Sequence, residues 1–155
     1  MKALLQRPAV LLIGIAMLSL ASVGAALVSQ HVYGMEPCPW CILQRVIFLA
    51  IALVCLLGFF AKRLSGALVL LLALCGVGAA LWQHFKAAAS SSCAMTLADN
   101  IVSAMKLDSL WPDVFLPRAS CADAAVSLVG VPYEFWSLLM FVLLGVAGAL
   151  LLRRR

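Results

Sequence analysis

The sequence predicts an all-α membrane protein: an antiparallel bundle of four transmembrane helices, with a short amphipathic helix in one long outer loop. Three observations carry that expectation. The chain of 155 residues is 66% hydrophobic and 11% charged, whereas a soluble domain carries about a quarter charged residues. It contains four apolar runs near the roughly 20 residues a helix needs to cross a hydrocarbon core of about 30 Å. Its charges are also sorted by sign between the loops. With no internal repeat, low-complexity tract or soluble second unit, residues 1–155 read as a single membrane domain.

The first run is Ala9 to Val28. Lys2 and Arg7 before it, and the small residues of Ala21 to Ala26, raise the alternative of a cleaved signal peptide. The run is longer than the usual apolar core of such a peptide, so a retained helix is expected. A short connection, His31 to Trp40, leads to the second run, Ile42 to Ala61. A tight Lys62-Arg63 corner turns into the third run, Leu64 to Trp82. The long polar stretch from Gln83 to Glu134 precedes the fourth, Phe135 to Leu152.

Within that stretch, Leu97, Ala98, Ile101, Val102 and Met105 share one helical face. Asp99, Ser103 and Lys106 share the other. This is the pattern of a short helix lying in the membrane interface or packed on the bundle top. Trp111, Pro112, Pro117 and Arg118 to Cys121 read as irregular, mobile chain, long enough to swing Cys121 towards the first loop.

Sidedness follows from the charges. Lys2, Arg7, Lys62, Arg63 and Arg153 to Arg155 fall on one side, with no acid among them. All six acids, Glu36, Asp99, Asp108, Asp113, Asp123 and Glu134, fall on the other. The positive-inside rule then puts both termini in the cytoplasm and both cysteine-bearing loops outside. Tyr33, Trp40, Trp82, Tyr133 and Trp136 lie at the outer run ends, as an aromatic belt does. The net charge of +5 is therefore an orientation signal and not a nucleic-acid surface.

Six cysteines give the chain its chemistry. Cys55 and Cys75 fall in mid-run, where a cysteine behaves as a small inert hydrophobe. The other four lie outside the runs, and an even number facing an oxidising compartment favours disulfides. Cys38-Pro-Trp-Cys41 stands at the entry to the second helix. A helix start lowers a thiol pKa through its unpaired N–H groups and partial positive charge. Pro37 and Pro39 suit such an entry. A structural disulfide or half of a zinc site is the alternative. Zinc, however, wants four close ligands, and Cys93 and Cys121 supply no second CxxC.

Arg45 follows Cys41 by one helical turn on the same face. A guanidinium just inside an apolar run is either a snorkelling anchor or a cation beside the thiolate and a reduced, negatively charged carrier. Gln44 is a weaker polar neighbour. His84, at the end of the third run, lies near the same depth as Arg45, as an interfacial residue or as a hydrogen-bond partner to a quinone oxygen. A CxxC at a membrane helix start, with a second cysteine pair in an outer loop, points to electron transfer between protein thiols and a lipid-soluble carrier.

Pro37-Cys38-Pro-Trp-Cys41-Ile-Leu-Gln-Arg45, Gln83-His84, a lone Cys93, Trp111-Pro-Asp-Val-Phe115, Cys121 and Gly130-Val-Pro-Tyr-Glu-Phe-Trp136 follow in that order. This series, spanning essentially the whole chain, resembles the bacterial disulfide bond formation protein B (DsbB) family. The resemblance implies a four-helix inner-membrane bundle that oxidises a periplasmic thioredoxin-fold dithiol protein of the DsbA type. The electrons would pass to ubiquinone or menaquinone, with no metal involved. By the same resemblance Cys38 and Cys41 are the quinone-coupled pair, with Cys41 nearest the quinone. Cys93 and Cys121 are the partner-facing pair, with Cys93 taking the mixed disulfide. Arg45 matches the quinone-site arginine and His84 the third-helix histidine. Two other classes share part of the pattern: vitamin K epoxide reductase-like enzymes, whose cysteine order differs, and non-enzymatic disulfide-stapled or metal-handling membrane proteins.

Overall fold

The computed structural model describes residues 8–58, 60–87, 97–128 and 130–153. Four helices within it are long and apolar enough to cross a membrane. They are α1 (Pro8–Tyr33), α2 (Pro39–Leu57), α3 (Lys62–Trp82) and α7 (Tyr133–Arg153). The four-helix membrane bundle expected from the sequence is thus the architecture found.

Helix boundaries differ from the apolar runs because a helix ends where its backbone bonds end, not where its apolar residues do. α1 continues through the polar Ser29-Gln30-His31 segment to Tyr33. α2 starts at Pro39 rather than Ile42, since the Cys38 sulfur caps it. The turn after α2 is also misplaced in the sequence reading. Gly58 caps α2, and Lys62 and Arg63 open α3 instead of forming the corner. A Cβ at Gly58 would collide with the Ser65 side chain, so the close approach needs glycine there.

α3 and α7 pack most intimately. A Cβ on Gly66 or Gly148 would press on the opposite backbone at 3.1 and 3.0 Å. Small residues let helix backbones approach in this way when lipid supplies no hydrophobic drive. Gly76 lies under the ring of Phe141, which is fully buried and stacks on Phe48 with centroids 4.1 Å apart. α2 packs against both α1 and α3, while α1 and α7 meet more sparsely. That sparse seam is where the bundle opens.

The described part of the long loop, residues 97–128, is more ordered than the sequence suggests. α4 (Leu97–Ala104) forms where the amphipathic pattern lies. Ala98 and Val102 are its buried face, and Val102 clusters with Ile42 and Phe115. Leu97, Ile101 and Met105 of the same stripe stay exposed. Trp111 and Pro112, expected in irregular chain, instead flank and open a helical turn, α6 (Pro112–Phe115), after the equally short α5 (Leu107–Leu110). Proline at the first helical position has no N–H to leave unpaired. A two-residue antiparallel pair, β1 (Ser127–Leu128) with β2 (Val131–Pro132), then delivers the chain to α7. Its turn holds Gly130 at φ 79°, in the left-handed region.

Candidate active site: sulfurs at the edge of a buried cavity

Cys38 precedes α2 with an extended backbone, and its sulfur accepts the Cys41 N–H at 3.4 Å. A sulfur thus occupies the place where serine or aspartate usually caps a helix. One turn of chain brings the Cys41 sulfur to 3.0 Å from that of Cys38. This is contact between two thiols, well beyond the roughly 2.05 Å of a disulfide.

Cys121 joins this pair from the far loop. The backbone N–H groups of Arg118 and Ala119 both donate to the Pro37 carbonyl, at 3.0 and 3.3 Å. That clamp sets Cys121 within hydrogen-bonding reach of Cys38 and of the Trp40 backbone N–H. The Cys38 thiol donates to Cys121, which holds Cys121 below the usual thiol range against the opposing effect of its burial. Cys38 is held well above that range, because its proton is shared with Cys121 and Cys41 and the group is buried. Cys93 lies outside the described residues. Cys55 is buried in the bundle and Cys75 exposed on α3, both away from the sulfur cluster.

Below the cluster, a cavity of about 290 Å³ occupies the seam between α1 and α7. Leu18, Ala21, Ala25, Phe48, Trp136 and Met140 make most of its wall apolar. Cys41, Gln44, Arg45, Gln83, Tyr133 and Glu134 contribute the polar chemistry. Cys41 therefore has one neighbour in the thiol cluster and one side on the cavity.

Each polar group is fixed by a specific bond. Gln44 Nε2 donates to Gln83 Oε1 at 2.8 Å, and Gln83 Nε2 donates to the Cys41 sulfur at 3.3 Å. This amide pair gives Cys41 an N–H donor beside the cavity. Arg45 is 5% exposed, so its guanidinium does not snorkel outwards. It donates through Nη1 to Gln30 Oε1 at 2.8 Å and to the Val114 carbonyl at 2.9 Å, and through Nη2 to the Ala26 carbonyl at 3.4 Å. Gln30 in turn donates to the Asp113 carbonyl at 3.1 Å, which ties α6 to the bundle. Among the described residues Arg45 is bonded to neutral oxygens, so its charge stays available to the cavity.

His84 is not on the cavity wall. α3 ends in a π-helical turn, Gln83–Ala87, that sends Gln83 towards Cys41 and His84 towards α7. Such wide turns often sit at functional sites. His84 Nδ1 lies 2.8 Å from Glu134 Oε1, and Glu134, only 4% exposed, is the member of the pair that faces the cavity. From the sequence Glu134 is a sidedness marker and part of the Gly130 to Trp136 stretch, with no role of its own in the site. The sequence reading also misses the bond from Gln83 to sulfur. A carboxylate at the head of an apolar run is as costly as the arginine that drew attention, and that cost was the signal. Among the described residues, no group of three or more His, Cys, Asp or Glu side chains is placed to hold a metal ion.

The chain matches the family described as Disulfide bond formation protein DsbB over residues 6–151. It belongs to the DsbB family. Among its relatives is the disulfide bond formation protein B of Pseudomonas syringae pv. tomato, 36% identical over 93% of this chain and 88% of the relative. That of Herminiimonas arsenicoxydans is 32% identical over 86% of this chain and 87% of the relative. A third, disulfide bond formation protein B 1 of Pseudomonas savastanoi pv. phaseolicola, is 34% identical over 97% and 94%. As a DsbB-family protein with four apolar helices, this is a multi-pass membrane protein with an oxidoreductase role in disulfide bond formation.

Proposed function

We propose that this DsbB-family protein is a protein-dithiol:quinone oxidoreductase of the bacterial inner membrane. Its termini lie in the cytoplasm and its sulfur cluster faces the periplasm. It oxidises a DsbA-type thioredoxin-fold partner and passes two electrons to membrane quinone. One observation carries this reading: the Cys41 sulfur touches Cys38 on one side and lines a largely apolar cavity on the other. A thiol relay that ends in such a cavity needs a carrier that is soluble in lipid and flat enough to enter.

The cavity suits a quinone headgroup. Its volume is at the low end for ligand pockets. Its walls are largely apolar, and Gln44, Gln83 and Arg45 place N–H donors on the lining that Cys41 shares. The buried Arg45 Nε and Glu134 Oε2 have no hydrogen-bond partner among the described residues. Buried polar atoms are rarely left unpaired, so a polar ligand group is expected beside them. When bound, quinone supplies the two-electron acceptor chemistry.

The chain's own residues perform the exchange. The partner's thiolate attacks Cys93 of a Cys93–Cys121 disulfide and releases Cys121 as thiolate. The partner's second thiol then displaces Cys93, so the partner leaves oxidised. Cys121, beside Cys38 and held by the Trp40 N–H, next attacks the Cys38 sulfur of a Cys38–Cys41 disulfide. Cys41 leaves as thiolate, with the Gln83 amide and the Arg45 charge nearby to stabilise it. Cys93 then displaces Cys38 from Cys121. This restores the outer disulfide and leaves Cys38 and Cys41 reduced at the cavity. Each step breaks one S–S bond and forms one.

The test is purified protein with quinone and a reduced thioredoxin-fold dithiol protein, followed by quinone absorbance. One quinone reduced per partner disulfide formed is expected. No quinone consumption while the partner is oxidised would overturn the reading. Orientation is checked in intact cells, where a membrane-impermeant thiol reagent should reach Cys93 after reduction.

A further inference from the structure

Among the described residues Glu134 is the one carboxylate on the cavity wall, and it is only 4% exposed. Its Oε1 meets His84 Nδ1 at 2.8 Å, while its Oε2 is buried with no hydrogen-bond partner among the described residues. His84 is 31% exposed in its side chain and is gripped edge-on by Phe85 and Phe135, at 4.9 and 4.7 Å. The order is thus partly exposed imidazole, buried carboxyl, cavity. That is the layout of a proton path. Glu134 lines the cavity with one carboxyl oxygen bonded to His84 and the other buried without a partner among the described residues, and burying an unpaired carboxylate oxygen is costly.

We propose that Glu134 and His84 form the proton relay that feeds the cavity, with Glu134 as the donor to the bound carrier and His84 as the group that recharges it. The inference rests on the quinone reading above. Oxidation of the Cys38 thiol and the Cys41 thiolate forms one S–S bond and releases two electrons and one proton, which leaves from Cys38 on the loop side. The carrier takes up two electrons and two protons. Cys41, already a thiolate, has none to give, so both protons must enter the cavity from elsewhere. Glu134 gives each in turn and regains one each time from His84 Nδ1 across the 2.8 Å bond. His84 takes each replacement from interfacial water, so the count closes. The other titratable or charged groups facing the cavity are Cys41, Arg45 and Tyr133. None of the three joins it to an exposed ionisable group through a bond like that of His84.

Two measurements test the relay. The chain has only two glutamates, Glu36 and Glu134, so glutamate labelled with carbon-13 gives a simple infrared difference spectrum. In wild-type protein with bound ubiquinone-1, time-resolved infrared should show a labelled carboxyl band that bleaches as the quinone is reduced and recovers as His84 recharges it, and this band should be absent in Glu134→Gln. No labelled band in wild type overturns the proposal without any variant having to fold. The second measurement compares binding with turnover. Quenching of Trp136, on the cavity wall, reports ubiquinone-1 binding without catalysis. His84→Gln, away from the cavity wall, should bind within about twofold of wild type, and both it and Glu134→Gln are compared at saturating ubiquinone-1. Their single-turnover quinone reduction should fall about tenfold or more at neutral pH and become steeply pH-dependent. Variants that match wild type in rate and pH profile refute the relay. A wild-type protein that neither binds nor reduces quinone refutes instead the reading beneath it.

Discussion

Arg45 offers the sharpest division between a cation for the cavity and a strut for the loop. Its guanidinium is buried and donates to Gln30 Oε1, the Val114 carbonyl and the Ala26 carbonyl. Arg45→Ala removes the charge from the cavity wall and also releases α6, which hangs on Val114 and, through Gln30, on Asp113. Loss of one charge-assisted contact to a quinone oxygen costs about 1.5–3 kcal/mol, or roughly ten- to a hundredfold in affinity. Loss of the strut costs about 1 kcal/mol for each neutral bond and acts on the loop instead. Two controls separate these effects. Gln30→Leu keeps the cation and cuts one strut, so quinone affinity should change little while amide exchange in 113–115 quickens. Arg45→Lys keeps a charge but not the fork, so both effects should be intermediate. The assay is quinone titration by tryptophan quenching beside amide exchange of the same variants. If Arg45→Ala binds quinone like wild type and only the loop loosens, the cation has no role in the cavity and Arg45 is structural.

Three further outcomes are expected. In reduced protein carrying Cys93→Ala, Cys121 should alkylate at lower pH than an ordinary thiol, since Cys38 stabilises its thiolate. Adding Cys38→Ala removes that donor, so the half-maximal pH of alkylation should rise, and an unchanged profile would break the assigned contact. Gly76→Ala drives a methyl into the Phe141 ring that backs Phe48. It should lower stability by about 1–3 kcal/mol in denaturant titration, and full stability would show that the α3–α7 seam yields. Cys55→Ala and Cys75→Ala should keep near-wild-type turnover, with a stability cost on the order of 1 kcal/mol at the buried Cys55. Lost turnover in a folded variant would place one of them in the relay.

The bundle was legible because membrane helices declare themselves twice, by apolar length and by the sign of flanking charge. Helix ends were not, because the decisive groups were local: the Cys38 sulfur that caps α2, and Gly58, which lets Ser65 come close. The meeting of Cys121 with Cys38 was only half legible. The loop is long enough to allow it, but the two N–H bonds to the Pro37 carbonyl that enforce it are backbone contacts, which leave no residue signature. The seam between α1 and α7 was invisible for a related reason, since apolar runs do not say which faces meet and which stand apart.

Arg45 and Glu134 show where the sequence reading stopped one inference short. Both are charges at the head of an apolar run, and both end at the same cavity. Arg45 stands out in the sequence because a guanidinium just inside an apolar run is costly. Glu134 fits the charge pattern as one of six acids in the outer loops, which hides the same cost. Satisfying a topological pattern does not remove the cost of burial, however. A carboxylate that only marks sidedness could sit in the loop with Asp123, which is exposed and bonded to Ser120. Glu134 instead begins α7, buried against His84 with one oxygen unmatched. A charge buried beyond what topology requires must be sustained by something the site does. In a cavity proposed to receive electrons from thiols, moving protons is the task we infer for this pair.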